Sequence, residues 1–209
     1  MIYLSGAVVP SMVDRPRPDL GVMLNPQTGN RAWLRAGLPW AADNGCFVAG
    51  ETFDADAWLA WLGGLRPHAE TCLFAVAPDV VGDAAATLAR SSPHLPTIRR
   101  LGFRAPFVSQ DGADRVGVPW DAFDCLFVGG STAWKLSEPS YGLGAEAKAR
   151  GKWLHMGRVS GARRLHAARV SGVDSTDGTK LKFGPDKNLR LVHAWLDALR
   201  AQTVMELTW

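Results

Sequence analysis

One arrangement recurs along the whole chain: a short apolar run of strand length, a polar loop carrying Gly with Asp or Asn, then a stretch with helical spacing. This constrains the fold more than any other feature, because alternating strands and helices build a parallel sheet. Strands are predicted at Met1–Ala7, Gly21–Leu24, Pro39–Asp43, Thr71–Ala77, Ala105–Ser109, Asp124–Gly129, Trp153–Gly157 and Gly172–Ser175. Thr71–Ala77 (TCLFAVA) is apolar throughout, as a strand buried on both faces must be. Helical spacing is found near Asn30–Ala36 and at Asp54–Leu65, Gly82–Arg90, Gly144–Arg150, Ser160–Arg169 and Asn188–Gln202. In Asp54–Leu65 the apolar positions Ala57, Trp58, Trp61, Leu62 and Leu65 share one face, and Asp54 stands at the N-cap. Pro93 and Pro96 interrupt the pattern after Arg90, and Val8–Leu20 reads as a loop.

Eight strands separated by helices predict an α/β fold, a small single-domain (β/α)8 barrel over residues 1–209. A doubly wound open sheet is the alternative, but no Gly-rich fingerprint follows the first strand. With 209 residues, 47% hydrophobic, the chain can bury one sizeable core. No run of about 18 apolar residues is present, so no membrane span is expected. The N-terminus has no basic leader and reads as the first strand. Cys46, Cys72 and Cys125 lie far apart without metal-ligand spacing, which predicts reduced thiols, a cytoplasmic protein and neither metal nor cofactor.

In a barrel of this kind the chemistry lies at the C-terminal strand ends. The residues there are Asp43-Asn44-Gly45, Asp79, Gln110-Asp111-Gly112, Gly129-Gly130-Ser131, His155-Met156-Gly157-Arg158 and Asp174 with Asp177. Each alone is also an ordinary polar turn. Together, acids, an amide and a Gly-Gly backbone offer donors and acceptors that match the Watson–Crick edge of guanine. A further carboxylate could attack an anomeric carbon. Charge is segregated as well. Between Lys148 and Arg190 stand eleven Lys and Arg against three acids, a balance of +8 in a chain whose total is +3. Such a basic third suits a polyanion, although solvated helix faces would give the same count. Trp120 and Trp134, beside polar loop residues, are candidates for base stacking.

In order along the chain, these motifs resemble the tRNA-guanine transglycosylase family, whose fold is a (β/α)8 barrel. Asp43-Asn44-Gly45-Cys46-Phe47 is similar to the family's D-S-G-G-[FY], and Ala77-Pro78-Asp79-Val80 to its D-E-C or D-I-P strand end. Gln110-Asp111-Gly112 stands for the Gln-Gly pair, and Gly129-Gly130-Ser131 for the Gly-Gly motif. Leu154-His155-Met156-Gly157-Arg158 resembles L-M-G-V-G, and Gly172-Val173-Asp174-Ser175-Thr176-Asp177-Gly178 resembles G-[VI]-D-x-F-D-C. The likeness spans roughly residues 40–180. The zinc module's Cys/His cluster has no counterpart, and Gly178-Thr179-Lys180 replaces the family's P-T-R. The chain therefore looks more like the compact, often phage-encoded branch that inserts 7-deazaguanines into DNA.

The resemblance implies that Asp177 is the nucleophile and Asp43 the general acid/base. It implies that Asp79, Gln110, Gly129, Gly130 and Gly157 surround the base, with Met156 as an apolar wall against the purine. Asp174 is left to tie the backbone. Arg158, Arg163, Arg164, Lys180 and Lys182 are candidates for phosphate contacts. The implied partners are DNA and a 7-deazaguanine base. The alternatives are the same exchange on RNA, tRNA or a free nucleoside, a non-catalytic nucleic-acid-binding barrel, and a glycoside hydrolase using Asp43 and Asp177.

Overall fold

The computed structural model describes residues 1–29 and 31–206. Eight strands, all parallel, run in the order β4-β3-β2-β1-β8-β7-β6-β5. They are β1 (Ile2–Ser5), β2 (Leu20–Leu24), β3 (Trp40–Ala42), β4 (Cys72–Ala75), β5 (Pro106–Ser109), β6 (Cys125–Val128), β7 (Trp153–Met156) and β8 (Ser175–Gly178). The sheet curls until β4 meets β5, where the Ala75 N–H donates to Arg104 O at 2.9 Å. A parallel ladder would continue with the N–H of residue 106 donating to Ala75 O. Pro106 has no N–H, so the barrel is nearly closed, with a seam there.

The connections are α1 (Pro10–Asp14), α2 (Ala32–Arg35), α3 (Cys46–Ala49), α4 (Ala55–Gly63), α5 (Ala84–Ser91), α6 (Leu95–Arg100), α7 (Ala113–Val116), α8 (Thr132–Lys135), α9 (Glu138–Ala149), α10 (Ala162–Val170) and α11 (Pro185–Glu206). Several starts are fixed by side chains: Asp54 caps the Ala57 N–H, Asp83 the Ala86 N–H, and Ser131 the Trp134 N–H. Strand pleating divides the core in two. Leu4, Met23, Ala41, Phe74, Val76, Val108 and Cys125 fill the barrel. Their neighbours Tyr3, Val22, Leu24, Trp40, Ala42, Leu126 and Leu154 face outward onto the helices, with Trp58, Leu62, Ile98, Leu165 and Val192. Arg17–Asp197 (2.7 Å) and Arg200–Asp19 (2.9 Å) tie α11 to the approach to β2.

Four expectations need correction. The loop predicted over Val8–Leu20 contains α1, which begins at Pro10, a residue suited to a first helical turn. The helix predicted near Asn30–Ala36 is observed as Ala32–Arg35, and Asn30 lies outside the described residues. The helix expected at Gly144–Arg150 starts at Glu138, because Ser137 caps it and Pro139 occupies its first turn. The last strand is Ser175–Gly178, not Gly172–Ser175. Gly172 (φ +73°) is the left-handed turn that ends α10, and Asp174 caps the Leu154 N–H at 2.8 Å, so pairing with β7 begins one residue later.

Candidate active site

The pleat that faces Ala41 and Val108 into the barrel also faces Asp43 and Gln110 into its C-terminal mouth, two residues on. In β8 it turns Ser175 and Asp177 inward, beside Leu4 and His155 in the neighbouring strands. Asp43 extends β3, its N–H donating to Leu24 O at 2.7 Å, and Oδ1 accepts the Gly45 N–H at 3.1 Å. Gly45 is left-handed (φ +78°), which lets the chain reverse over the carboxylate. Burial pushes the Asp43 carboxyl up to about 6, against the Gly45 N–H; the charges of Asp177 and Asp79 push the same way, and Lys182 opposes them. Asp177, Asp79 and Lys182 therefore all lie within electrostatic reach of Asp43.

Asp79 is almost enclosed. Asn44 Nδ2 donates to Oδ1 at 2.8 Å and Gln110 Nε2 to Oδ2 at 2.6 Å. Burial raises the Asp79 carboxyl, and these two amide donors oppose the rise. Gln110 Oε1 accepts the Gly82 N–H at 2.9 Å, so both ends of that amide are engaged.

Asp177 Oδ1 accepts the Arg158 N–H at 3.1 Å and lies 3.1 Å from His155 Nε2. Gly157 makes room for it, since a Cβ there would stand 2.7 Å from the Phe127 ring and 3.4 Å from Asp177 Oδ1. Arg158 holds a left-handed backbone (φ +58°), uncommon for a residue with a side chain. Its guanidinium donates to Gly130 O at 2.5 Å and lies 5.3 Å from the ring centroid of Phe47, which is 68% exposed. One arginine thus links the loops after β3, β6 and β7 across the mouth. Behind it, the buried Lys135 ammonium donates to Gly157 O at 2.9 Å.

The structure brings Asp43, Asp79, Gln110, Gly129, Gly157 and Asp177 to the mouth, with Gly129 packed against Val108 and Gln110. Gly130 (φ +73°) is wedged between Asp111 and Trp134. Met156 goes elsewhere. Pleat alternation turns it outward, among residues packed under the helices, so it cannot wall the mouth. Asp174 lies at the opposite end of β8, bonded to Lys148 at 2.7 Å. Neither tryptophan offers a stacking face in the mouth: Trp134 is buried with its indole N–H on Ser109 O, and Trp120 precedes β6 at the far end, packed on Phe123.

The basic third also divides. Arg158, Arg164, Lys180 and Lys182 follow β7 or β8 on the side of the mouth, and Lys182 Cε stands 3.3 Å from where a Cβ on Gly6 would be, whereas Arg163 lies with Trp195 in the groove between α10 and α11. Lys148, Arg150 and Lys152 lie at the other end; Lys148 is paired with Asp174, Arg150 with Glu146, and Lys152 donates to Phe123 O. Sequence reasoning placed Asn44 and His155 among the strand-end residues without giving either a role, and it missed Lys135. For His155 a signal was present, an imidazole inside an otherwise apolar strand.

Among the described residues, no three His, Cys, Asp or Glu side chains are grouped to hold a metal ion, and no helix is long and apolar enough to cross a membrane. No protein family and no curated protein matches the chain.

Proposed function

We propose that the protein exchanges guanine in a polynucleotide, DNA first, for a 7-deazaguanine base through a covalent glycosyl–aspartate intermediate. One observation carries this reading: two carboxyl groups in one mouth have unlike surroundings. Burial beside two other acids raises Asp43 to about 6, whereas Asp177 Oδ1 accepts the Arg158 N–H and lies 3.1 Å from His155 Nε2. Environments that separate two acids in this way assign one as proton carrier and the other as nucleophile.

In the first step an Asp177 oxygen bonds to C1′ and the C1′–N9 bond breaks. The electron pair stays on guanine, which takes the Asp43 proton. In the second step the incoming base gives its N9 proton back to Asp43, and its nitrogen displaces Asp177 from C1′. Asp79 and Gln110 line the base side of the pocket. The cations after β7 and β8 hold the phosphates, so binding weakens steeply as salt rises. Drawing the base out of a duplex costs a few kcal/mol, offset by contacts in the mouth.

The test incubates the protein with DNA carrying labelled guanine and a preQ0-type 7-deazaguanine, alongside tRNA and free nucleosides. Label release from DNA by the wild type, none by Asp177→Ala, and a protein–DNA adduct that needs Asp177 are expected. No release from any substrate, or equal release by the variant, overturns the reading.

A further inference from the structure

Beneath Asp177 a row of hydrogen bonds runs down through the barrel. Trp153 Nε1 lies 2.8 Å from Ser175 Oγ, Ser175 Oγ 2.8 Å from His155 Nδ1, and His155 Nε2 3.1 Å from Asp177 Oδ1. Ser175 and His155 are fully buried, the imidazole between the rings of Phe74 (5.0 Å) and Phe127 (4.3 Å). Serine, histidine and aspartate in a row suggest a hydrolase triad, but no substrate carbonyl can reach a serine enclosed in this way.

The row has a direction. An indole N–H only donates, so Ser175 Oγ accepts from Trp153. The single Ser175 proton then needs an acceptor, and the neighbour in line is His155 Nδ1. Nδ1 must therefore present its lone pair, and the ring proton sits on Nε2, facing Asp177. A proton on Nδ1 instead would make both neighbours of Ser175 Oγ donors and leave its own hydroxyl hydrogen without an acceptor in the row, in a site where an unmade hydrogen bond is costly.

We propose that Trp153 and Ser175 are positioning residues that fix His155 as the Nε2–H tautomer, and that this tautomer makes Oδ2 the attacking oxygen of Asp177. The Nε2–H and the Arg158 N–H both fall on Oδ1, so Oδ2 is the oxygen left to meet C1′. The row leaves only one rotation of the carboxylate that satisfies both donors, and nucleophile geometry of this kind governs rate more than binding. Asp43, Tyr3 and Lys135 also lie within electrostatic reach of Asp177, and none of them belongs to the row. The catalytic part of the proposal rests on the base-exchange reading, but the tautomer does not.

Long-range proton–nitrogen NMR on protein with 15N-labelled histidine tests the tautomer directly, with His155→Gln to assign the resonance. At pH 7 the wild type should show protonated Nε2 and a lone pair on Nδ1, and the Nδ1 resonance should move in Ser175→Ala. A proton on Nδ1, a doubly protonated ring, or an unmoved resonance in Ser175→Ala overturns the assignment. In the exchange assay Ser175→Ala and Trp153→Phe, each checked for a cooperative melt, should lose kcat by roughly tenfold to a hundredfold with KM little changed. His155→Gln, whose amide N–H reaches the Nε2 position, should retain more activity than His155→Asn, whose amide does not. Unchanged kcat, or an equal loss in those two variants, overturns the positioning role. A wild type that shows the expected tautomer but exchanges no base on any substrate removes the function and the positioning role together, leaving the tautomer as a property of the barrel.

Discussion

Gln110 donates to Asp79 across 2.6 Å, with the two residues only 2% and 8% exposed. A carboxylate removed from water keeps its charge cheaply only if charge-assisted hydrogen bonds replace the lost hydration. Gln110 and Asn44 supply them from the ends of β5 and β3, on either side of the loop after β4. Side chains thus tie β4 to β5 at the seam where Pro106 stops the backbone ladder. One cluster closes the barrel and fixes the loops after β3, β4 and β5 beside the mouth.

Gln110→Ala strips Asp79 Oδ2 and the Gly82 N–H of their partner at once. A loss of about 2–3 kcal/mol in urea denaturation at pH 7 is expected, as for buried polar groups left unpaired. Gln110→Glu sets a second carboxylate against Asp79 and should cost more at pH 7 than at pH 5, where one shared proton relieves the repulsion. Equal costs at the two pH values would show that the Asp79 surroundings are wetter than the structure indicates.

Asp43 makes stability depend on pH in a direction set by its raised pKa. Below the unfolded value near 4, folded and unfolded states are both protonated and the group is neutral in the balance. Between there and about 6 the folded state holds the proton more tightly, so stability falls as pH rises, then levels off. Asp43→Asn keeps an oxygen for the Gly45 N–H and carries no charge to bury. Its stability should match the wild type near pH 3.5 and exceed it by roughly 2–3 kcal/mol above pH 7, while base exchange is lost. Thermal melts across that range check the sign; a gain that shrinks with rising pH contradicts it.

The barrel was legible because seven of its strands are apolar runs, and buried parallel strands have to be. The eighth was misplaced by three residues because β8, Ser175–Gly178, is the polar strand, with Ser175 and Asp177 turned inward. A rule that reads strands as apolar fails where the strand itself carries the polar groups of the site. The acids and several of their partners were legible as strand-end residues, but which of them pair was not. That His155 faces Asp177 depends on strand register, and that Lys135 reaches Gly157 O depends on how α8 packs. Met156 shows the limit of a motif: its neighbour Gly157 faces the mouth, so the pleat must turn Met156 away.

Arg158 combines a strained backbone with a useful side chain, and two substitutions separate them. Arg158→Ala keeps the left-handed backbone and removes the guanidinium from Gly130 O and Phe47. Arg158→Gly removes the same contacts and also relieves the backbone, so it should be more stable than Arg158→Ala by about 1 kcal/mol. Both should weaken DNA binding alike and lower the slope of log K against log salt by about one. Filter binding between 50 and 200 mM salt measures the slope, and a slope unchanged in both variants removes Arg158 from the phosphate contacts.

Two glycines to alanine should have opposite outcomes. Gly142 is an exposed position of α9 with nothing within 4 Å of an added Cβ. Alanine there should raise stability by up to about 1 kcal/mol, because a helix interior favours it over glycine, and activity should not change. At Gly157 the added carbon would stand 2.7 Å from Phe127, whose ring packs 4.3 Å from that of His155, and 3.4 Å from Asp177 Oδ1. The ring has to shift within a filled barrel, costing roughly 1–3 kcal/mol and moving the imidazole that aims Asp177. Gly157→Ala should therefore lose both stability and kcat, whereas a variant that melts lower with kcat intact would show that the Phe127–His155 packing does not govern Asp177.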